Sequence, residues 1–295
     1  MDRRKVPGQA SLEVPALFAL PAGIIYTALL MIPIFMALFI SFTRWNGFSS
    51  MRFIGFDNYI RVFTDKRFGN AVSNTLVISL VFVAAVNVLG LFFALFLNKQ
   101  GPQSNILRAV FFCPFILSSV AVSFVWKSIL SYTGVLNSVL ASLGFQNSMG
   151  NYFGSRGSAL VCICIVEIWR NMGYYIVLYL AALQTVPAEL YEACTVDGGS
   201  RWQKFKSVTL PLIVPGATVS VLMSVINILR IYDTVKVLTD GGPGYDTETV
   251  VYNIVAQGFS NSLLGYSSAI AVILFLTIGA VTVGIMQASS FLEAE

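Results

Sequence analysis

The sequence predicts an all-α protein that crosses a membrane about six times. Of its 295 residues, 56% are hydrophobic and only 11% are charged, and the mean hydropathy is +0.77. Soluble domains carry about 25% charged residues, so this composition excludes an ordinary soluble domain. The apolar residues form continuous runs that reach the roughly 20 residues a helix needs to cross a bilayer. A membrane β-barrel requires alternating strands of about 10 residues, and the continuous runs argue against one.

Six apolar runs define the predicted spans, in chain order. They cover residues 15–42, 72–97, 107–130, 159–184, 210–232 and 266–287. Prolines lie inside several of these runs, as at Pro21, Pro33, Pro114 and Pro215. Neighbouring helices satisfy the backbone groups that such residues free, so the prolines do not exclude the spans.

The N-terminal stretch "MDRRKVPGQASLEV" begins with basic residues, like a signal peptide. The apolar run behind it, residues 14–43, is longer than a signal-peptide core and has no clear cleavage site. We therefore expect a retained first helix, with residues 1–13 as a cytoplasmic tail and 14–295 as one transmembrane domain. Basic residues favour this orientation only modestly, because the first outer loop carries five of them. They are Arg44, Arg52, Arg61, Lys66 and Arg67.

The cysteines and the missing histidines argue against a redox or metal site. All four cysteines, Cys113, Cys162, Cys164 and Cys194, fall in spans or in one charged segment, so free thiols are expected. There is no histidine, which removes the commonest metal ligand and the usual acid–base group at neutral pH. We expect no bound metal.

The segment between spans four and five, "ELYEACTVDGGSRWQKFKSVTLPL", is unusually polar for this chain. Pro187 suits the first turn of a helix, and Gly198 with Gly199 suits its end. Ser200 followed by Gln203 predicts a capping box that starts a second helix. The segment is therefore predicted to be a stiff helix–turn–helix at the membrane surface. It is either an interfacial helix pair anchored by aromatic residues or a docking element for a cytoplasmic partner.

Charged residues inside the spans form two pairs at helical spacing. Glu167 and Arg170 are three residues apart in span four, and Arg230 and Asp233 repeat the spacing at the end of span five. Each pair would lie on one face of a helix. Intramembrane charges are costly, so each pair is either a structural ion pair or the polar lining of a solute path.

The spacing within the polar segment resembles the EAA signature of the membrane subunits of ABC importers. That signature reads Glu-Ala-Ala, three residues, Gly, nine residues, Ile, one residue, Leu-Pro. The chain keeps Glu192, Ala193, Gly198, Leu210 and Pro211 at matching positions, with Cys194 and Val208 as small replacements. The resemblance implies the ABC type I importer permease fold.

Further stretches resemble carbohydrate-uptake permeases in particular. "FIGFDNYIRVFTD", "EIWRNMGYYIVLYLAALQTVPAELYEA" and "GYSSAIAVILF" are similar to sugar permeases. The LTxGGP pattern is carried by Leu238, Thr239, Gly241, Gly242 and Pro243. It is typical of the maltose/glycerol-phosphate-type first permease subunit.

The resemblance implies that the coupling loop, residues 187–211, docks on a cytoplasmic ATPase. Glu192 would make the ionic contact and Gly198 the tight turn. The full set of implied coupling residues is Glu192, Ala193, Gly198, Arg201, Leu210 and Pro211. The chain has no G-x-x-x-x-G-K-[ST] stretch, so hydrolysis is expected in another subunit and the chain itself is not expected to be an enzyme.

The implied assembly contains a second homologous permease, two ATPase subunits and an extracytoplasmic solute-binding protein. The chain would bind no cofactor, since ATP and Mg²⁺ belong to the ATPase. It would lie in a bacterial or archaeal cytoplasmic membrane among lipids, transport a carbohydrate and bind no nucleic acid. The outer loops, residues 44–70, 131–158 and 233–265, would meet the binding protein, although "TDGGPGYDTET" is equally a simple chain reversal.

The resemblance also implies a sugar site made of planar hydrogen-bonding groups and aromatic faces. The matching positions are Phe115, Ser119, Arg170, Asn171, Tyr174, Asn227, Ile228 and Ile231. Ile228 and Ile231 depart from the polar residues expected there. An ion-coupled secondary transporter is the alternative, but the halves show no convincing repeat and the spans hold few acidic residues. A non-transporting scaffold would leave both motifs unexplained.

Overall fold

The computed structural model describes residues 16–99, 101–145 and 149–294, and they are almost entirely helical. In this part of the chain the only strands are β1 (Thr43–Arg44) and β2 (Arg52–Phe53), which pair antiparallel. The all-α prediction is therefore confirmed. The predicted cytoplasmic tail, residues 1–13, lies outside the described residues.

The first half of the chain builds three spans and the short elements that join them. The helices are α1 (Ala16–Tyr26), a π-helical turn (Thr27–Met31), α2 (Ile32–Ser41), α3 (Asp57–Thr64), α4 (Lys66–Leu97), α5 (Pro102–Ile116), α6 (Ser119–Leu130) and α7 (Val135–Ser142). The first span is continuous through its π-helical turn, as predicted.

The second half holds the polar segment and the last spans. Its helices are α8 (Arg156–Gln184), α9 (Ala188–Val196), α10 (Arg201–Lys204), a π-helical turn (Phe205–Thr209), α11 (Leu210–Leu212), α12 (Val214–Leu229), α13 (Asp233–Leu238), α14 (Val250–Val255), a second such turn (Ala256–Ser260) and α15 (Leu264–Ala294). Helices α13 and α14 lie in a region that was expected to be loop.

Five helices of the described chain are long and apolar enough to cross a membrane by themselves. They are Leu20–Ser41, Lys66–Leu97, Ser119–Ser142, Arg156–Gln184 and Leu264–Ser290. A sixth arises if the bent pair Arg201–Leu212 and Val214–Leu229, which meet at 67°, is one broken span. The number of spans therefore agrees with the sequence prediction.

Two predicted spans differ in detail from the structure. The prediction of a single helix over 107–130 is wrong, because Leu117 is extended (ψ 150°) and separates α5 from α6. Pro114, one turn before the break, lacks the N–H that would continue the helical ladder. Span five bends by 67° near Ile213, and its second part, α12, ends at Leu229, three residues before the approximate predicted end.

Helices α4 and α8 pack against each other along their lengths, with their N-terminal ends together and their C-terminal ends together. Near their N-terminal ends Arg156 Nε donates to Asn74 Oδ1 at 3.0 Å. We call this end of the molecule, which also carries α3, the α3 end. Near their C-terminal ends Leu97 and Leu183 share one apolar core with Val208. We call this end, which also carries α9, the α9 end. Helix α5 crosses α8 so closely that a Cβ on Gly173 would lie 2.1 Å from the Phe111 carbonyl oxygen.

Candidate functional site

A polar cavity of about 330 Å³ lies where α4, α8, α12 and the α5–α6 break meet. It is lined by Phe82, Phe115, Ser119, Glu167, Arg170, Asn171, Asn227, Ile228, Arg230, Ile231, Tyr232, Asp233 and Thr234. Seven of the eight residues predicted to bind sugar are therefore brought together around one cavity. Their role in binding remains a prediction.

The eighth predicted residue, Tyr174, supports the wall of the cavity. Its ring stacks on Phe115, with centroids 4.8 Å apart and planes inclined by 18°. The break between α5 and α6 puts Phe115 near the end of one helix and Ser119 at the start of the next. An uninterrupted third span would carry these two residues past the cavity one turn apart on a single helix.

Glu167 organises the polar side of the cavity. It is only 5% exposed, and its Oε1 accepts a short hydrogen bond from Thr234 Oγ1. Its Oε2 accepts from Asn171 Nδ2 at 2.8 Å and lies 3.5 Å from Arg170 Nη2. Ser123 Oγ adds a 3.3 Å bond to Thr234. The carboxylate therefore ties α8 to α13 and α6, and both of its oxygens are engaged within the protein.

The two charged pairs predicted from spacing have different outcomes. Glu167 and Arg170 form an ion pair, as expected from their position on one face of α8. Arg230 and Asp233 do not pair, although both line the cavity. The helix ends at Leu229, so these two residues do not have the helical geometry that their spacing suggested.

Three cavity residues, Phe82, Tyr232 and Thr234, were not identified from the sequence. Phe82 lies in a long apolar helix where nothing distinguishes it from lipid-facing neighbours. Thr234 is buried by the turn between α12 and α13, which returns the chain towards α8. The only available signal was Asp233, the polar residue next to Thr234.

Ile228 and Ile231, the two departures from the expected polar pattern, are almost fully buried at 1% and 7% exposure. Both belong to an apolar core shared with Phe82 and Tyr175. They form an apolar part of the cavity wall. Asn227 beside them is exposed and donates to Tyr175 OH at 3.4 Å.

The polar segment forms the predicted helix–turn–helix at the α9 end. Pro187 precedes the first helix as its N-cap, so that helix starts one residue later than predicted. Gly198 has φ +78°, a left-handed conformation that glycine adopts without strain. Gly199 N donates to Cys194 O at 2.8 Å and Gly198 N to Thr195 O at 3.0 Å, the hydrogen bonds of a Schellman cap.

The second helix of the segment starts with the predicted capping box. Ser200 N donates to Gln203 Oε1 at 2.7 Å, and Gln203 N donates to Ser200 Oγ at 3.3 Å. Tyr191 OH and Thr209 Oγ1, 3.0 Å apart, join the two arms of the turn. The segment is thus a rigid unit held by its own backbone and side-chain bonds.

The predicted coupling residues lie on the surface of this unit. Glu192, Ala193, Gly198, Arg201, Leu210 and Pro211 are all exposed. Two large apolar side chains beside them are also exposed, Val196 at 88% and Trp202 at 68%. Val196 was not identified from the sequence. Exposed apolar side chains among charges are typical of a surface that a partner covers.

At the α3 end, the turn-rich stretch 238–248 is ordered by its own hydrogen bonds. Thr247 Oγ1 donates to Gly242 O at 2.7 Å and lies 2.8 Å from Thr239 Oγ1, within hydrogen-bond distance. Asp240 accepts from Lys236 Nζ at 2.6 Å and from Tyr252 OH at 2.9 Å. These two donors, Lys236 first, lower the pKa of the Asp240 carboxyl below its usual value.

No group of three or more cysteine and acidic side chains that could hold a metal ion occurs among the described residues. The four cysteines are free, and Cys162 and Cys164 are buried within the bundle. The cavity offers amides, hydroxyls, guanidinium groups, aromatic faces and the carboxylates of Glu167 and Asp233, the first of which is already bonded within the protein. That set suits a polar organic solute better than a metal ion.

The structure combines five or six helices able to cross a membrane with a polar cavity between them. Residues 86–290 match the family "Binding-protein-dependent transport system inner membrane component". The chain belongs to this family, which confirms the importer permease that the EAA spacing indicated.

Curated relatives extend the likeness over most of the chain. A multiple sugar-binding transport system permease protein of Streptococcus mutans is 34% identical over 252 residues, covering 85% of this chain and 86% of the relative. A trehalose/maltose transport system permease protein of Thermococcus litoralis is 32% identical over 278 residues, covering 93% of each. A subunit of a bacterial alginate ABC transporter has the same fold, with a TM-score of 0.81 at 22% identity over 94% of this chain and 95% of that one.

Proposed function

We propose that the chain is the transmembrane permease subunit of an ATP-driven importer that moves a carbohydrate delivered by a solute-binding protein. One observation carries the proposal: seven of the eight residues expected to bind sugar line one polar cavity within the bundle. Residues 14–295 would form the permease domain. Residues 1–13 would lie in the cytoplasm of a bacterium or archaeon, and the domain in its cytoplasmic membrane.

The chemistry of the cavity suits a hydroxyl-rich ring. The stacked pair of Phe115 and Tyr174 supplies an aromatic face. Asn171, Asn227 and Arg170 supply planar donors and acceptors for hydroxyl groups. The names of the relatives in Streptococcus mutans and Thermococcus litoralis include sugars, which supports the same solute class here.

The helix–turn–helix at the α9 end would transmit the work of ATP hydrolysis. Glu192 is exposed on α9, and a basic group on the ATPase would pair with it. Removing one partner of such a desolvated pair lowers the free energy of binding between the two proteins by about 2–5 kcal/mol. The segment continues into α11 and, across the 67° bend, into α12, whose far end carries Asn227 into the cavity. Movement of the turn would therefore reach the solute site by a continuous chain of helices, as alternating access requires.

The rest of the assembly follows from the same proposal. Two ATPase subunits would bind and hydrolyse ATP with Mg²⁺, so this chain would bind no cofactor and would not itself be an enzyme. A second homologous permease would complete the solute path. The α3 end, with the ordered stretch 238–248, would meet the binding protein.

Uptake by cells that lack the native gene for this chain tests the proposal. Cells complemented with the wild type should take up a labelled oligosaccharide, and Asn227→Ala should lower that uptake. Asn98→Ala, an exposed amide at the α9 end and away from the cavity, is the matched control and should leave uptake unchanged.

The source of energy separates the importer from the ion-coupled alternative. Uptake should stop when ATP is depleted and persist when a protonophore collapses the proton gradient. ATPase subunits should co-purify with the wild type and less with Gly198→Ala, because alanine at φ +78° strains the turn. Uptake that survives ATP depletion, with no ATPase bound to the wild type, would contradict the proposal.

A further inference from the structure

A second cavity, of about 190 Å³, lies at the α3 end between the β1–β2 ribbon, α3 and the start of α15. It is lined by Thr43, Arg44, Trp45, Ile54, Asp57, Asn58 and Arg61 from the first half of the chain, and by Leu263, Gly265 and Tyr266 from the second. Hydrogen bonds between the elements hold the walls of this cavity in place. Asn58 Nδ2 donates to Ser41 O and Thr43 O, both at 2.8 Å, and Gly265 N donates to Trp45 O at 3.1 Å.

The lining of the cavity has two arginines and one acidic side chain, and a second carboxylate, Asp65, accepts from Tyr266 OH at 2.6 Å beside it. Arg44 and Arg61 both line it, and neither forms an ion pair there. Arg61 instead lies over the Tyr266 ring, with its guanidinium carbon 4.4 Å from the centroid. Asp57 contributes the only acidic side chain in the lining, so the lining has a formal charge of +1.

A third arginine adds to this charge. Arg52 is paired directly opposite Arg44 in the β1–β2 ribbon. Like charges directly opposite each other destabilise an antiparallel pair. An anion bound between the ribbon and α3 would remove that repulsion.

The surface around the cavity is apolar and aromatic. On α3 and its N-cap, Phe56, Ile60 and Phe63 are 67%, 63% and 76% exposed, and their spacing places them on one stripe of the helix. Phe53, in the ribbon next to Arg52, is 69% exposed. A short helix with an exposed apolar stripe and basic residues beside it is typical of a segment lying in a membrane interface.

This surface is continuous with two membrane spans. Helix α2 ends at Ser41 and α15 begins at Leu264, so both reach the rim of the cavity. Both spans expose large apolar side chains, such as Phe35 at 65% and Phe275 at 62%. A lipid whose acyl chains cover these spans would have its headgroup at the level of Arg44 and Arg61.

We propose that this cavity is a binding site for the phosphate headgroup of an anionic phospholipid, in the membrane leaflet at the α3 end. Arg44 and Arg61 hold the phosphate, Arg52 adds to the positive potential, and the α3 stripe inserts among the neighbouring acyl chains. The site explains why the first loop carries so many basic residues on the side opposite the α9 end. It is independent of which solute is transported.

Native mass spectrometry of the full-length chain, released from detergent with defined lipids, tests this site. The probes are phosphatidylglycerol, phosphatidylcholine and inorganic phosphate. The wild type should retain phosphatidylglycerol in preference to phosphatidylcholine. Arg44→Gln with Arg61→Gln should reduce retention on the order of tenfold or more, since each basic residue near an anionic lipid surface contributes about a factor of five.

Matched variants distinguish a specific lipid site from general attraction between basic residues and an anionic lipid. Lys66→Gln with Lys99→Gln removes two exposed charges outside the cavity and should retain the lipid as the wild type does. Arg44→Lys with Arg61→Lys keeps both positive charges and should retain most of the bound phosphatidylglycerol. If the double glutamine variant does not fold, Arg44→Gln alone, at an exposed position, should still lower retention severalfold.

Three results would overturn the proposal. The first is equal retention of phosphatidylcholine and phosphatidylglycerol by the wild type. The second is an equal loss in the Lys66→Gln, Lys99→Gln control. The third is displacement of phosphatidylglycerol by an equal concentration of inorganic phosphate, which would assign the cavity to a soluble anion.

Discussion

The Arg67 guanidinium holds the buried Glu248 carboxylate by two bonds, Nε to Oε2 at 2.8 Å and Nη2 to Oε1 at 2.6 Å. Glu248 is 1% exposed and also accepts from Asn253 Nδ2 at 3.0 Å. Arg67 lies 3.8 Å from the centroid of the Tyr245 ring. The pair therefore fastens the stretch 238–250 to the start of α4, at the face where a binding protein would approach.

Arg67→Gln should destabilise the chain by about 3–5 kcal/mol, because it leaves a buried carboxylate without its partner. Thermal or denaturant unfolding of the purified chain measures this effect. Lys236→Gln breaks the pair with Asp240, whose side chains are 50% and 63% exposed, and should cost less than about 1 kcal/mol. Similar losses in the two variants would show that burial does not set the strength of the Arg67–Glu248 pair.

The Asp240 carboxyl should stabilise the fold at neutral pH and not in acid. Its pKa is lowered by the hydrogen bonds from Lys236 and Tyr252. The contribution is therefore complete above the ordinary carboxyl pKa of about 3.9 and is lost as the pH falls through the lowered value. The free energy of unfolding should be higher for the wild type than for Asp240→Asn at neutral pH. The two values should converge as the solution is made acidic. A difference that grows in acid would contradict this assignment.

Phe115→Ala should raise the half-saturation concentration for sugar uptake. Phe115 lines the cavity, and losing an aromatic face that stacks on a sugar ring should cost about 0.5–1.5 kcal/mol of binding free energy, or roughly twofold to tenfold in affinity. Phe124→Ala removes an aromatic ring that is 59% exposed on α6, and it should leave uptake unchanged. An equal effect of both variants would mean that the loss comes from the fold and not from the cavity.

Thr234→Val should weaken the cavity wall without changing its volume much. The substitution removes the hydroxyl that donates to the Glu167 carboxylate, and a hydrogen bond to a charged group contributes about 1.5–3 kcal/mol. Thr218→Val is the control, since that hydroxyl bonds only to Val214 O in its own helix. The free energies of unfolding of both variants test this prediction. If Thr234→Val loses no more stability than Thr218→Val, the link between α8 and α13 contributes little to the fold.

The parts of the structure that the sequence predicted are those fixed by local chemistry. Gly198, Ser200 and Gln203 define the turn and cap within a few residues, so the helix–turn–helix is present almost as predicted. The apolar runs set the number of spans in the same way, because each span needs only its own length and composition. The cavity residues were located through the resemblance, and the structure brings seven of them together.

The parts that the sequence did not predict depend on contacts between distant residues. Thr234 joins the cavity because its hydroxyl reaches Glu167, 67 residues earlier, and no local pattern indicates that bond. The break after Ile116 could not be predicted because the residues around it, Ile116 and Leu117, are as apolar as those of an uninterrupted span. Glu248 likewise gave no sign of burial in a turn-rich, polar stretch.

The most direct measurement of the central claim is ATP hydrolysis by the assembled transporter in proteoliposomes, with and without sugar-loaded binding protein. The wild type should be stimulated by the loaded binding protein, and Glu192→Gln should lose most of that stimulation. Glu189→Gln, an exposed carboxylate on the same helix three residues earlier, should keep it. Full stimulation of Glu192→Gln, or equal loss in both variants, would contradict the assignment of Glu192 as the contact that couples this chain to its ATPase.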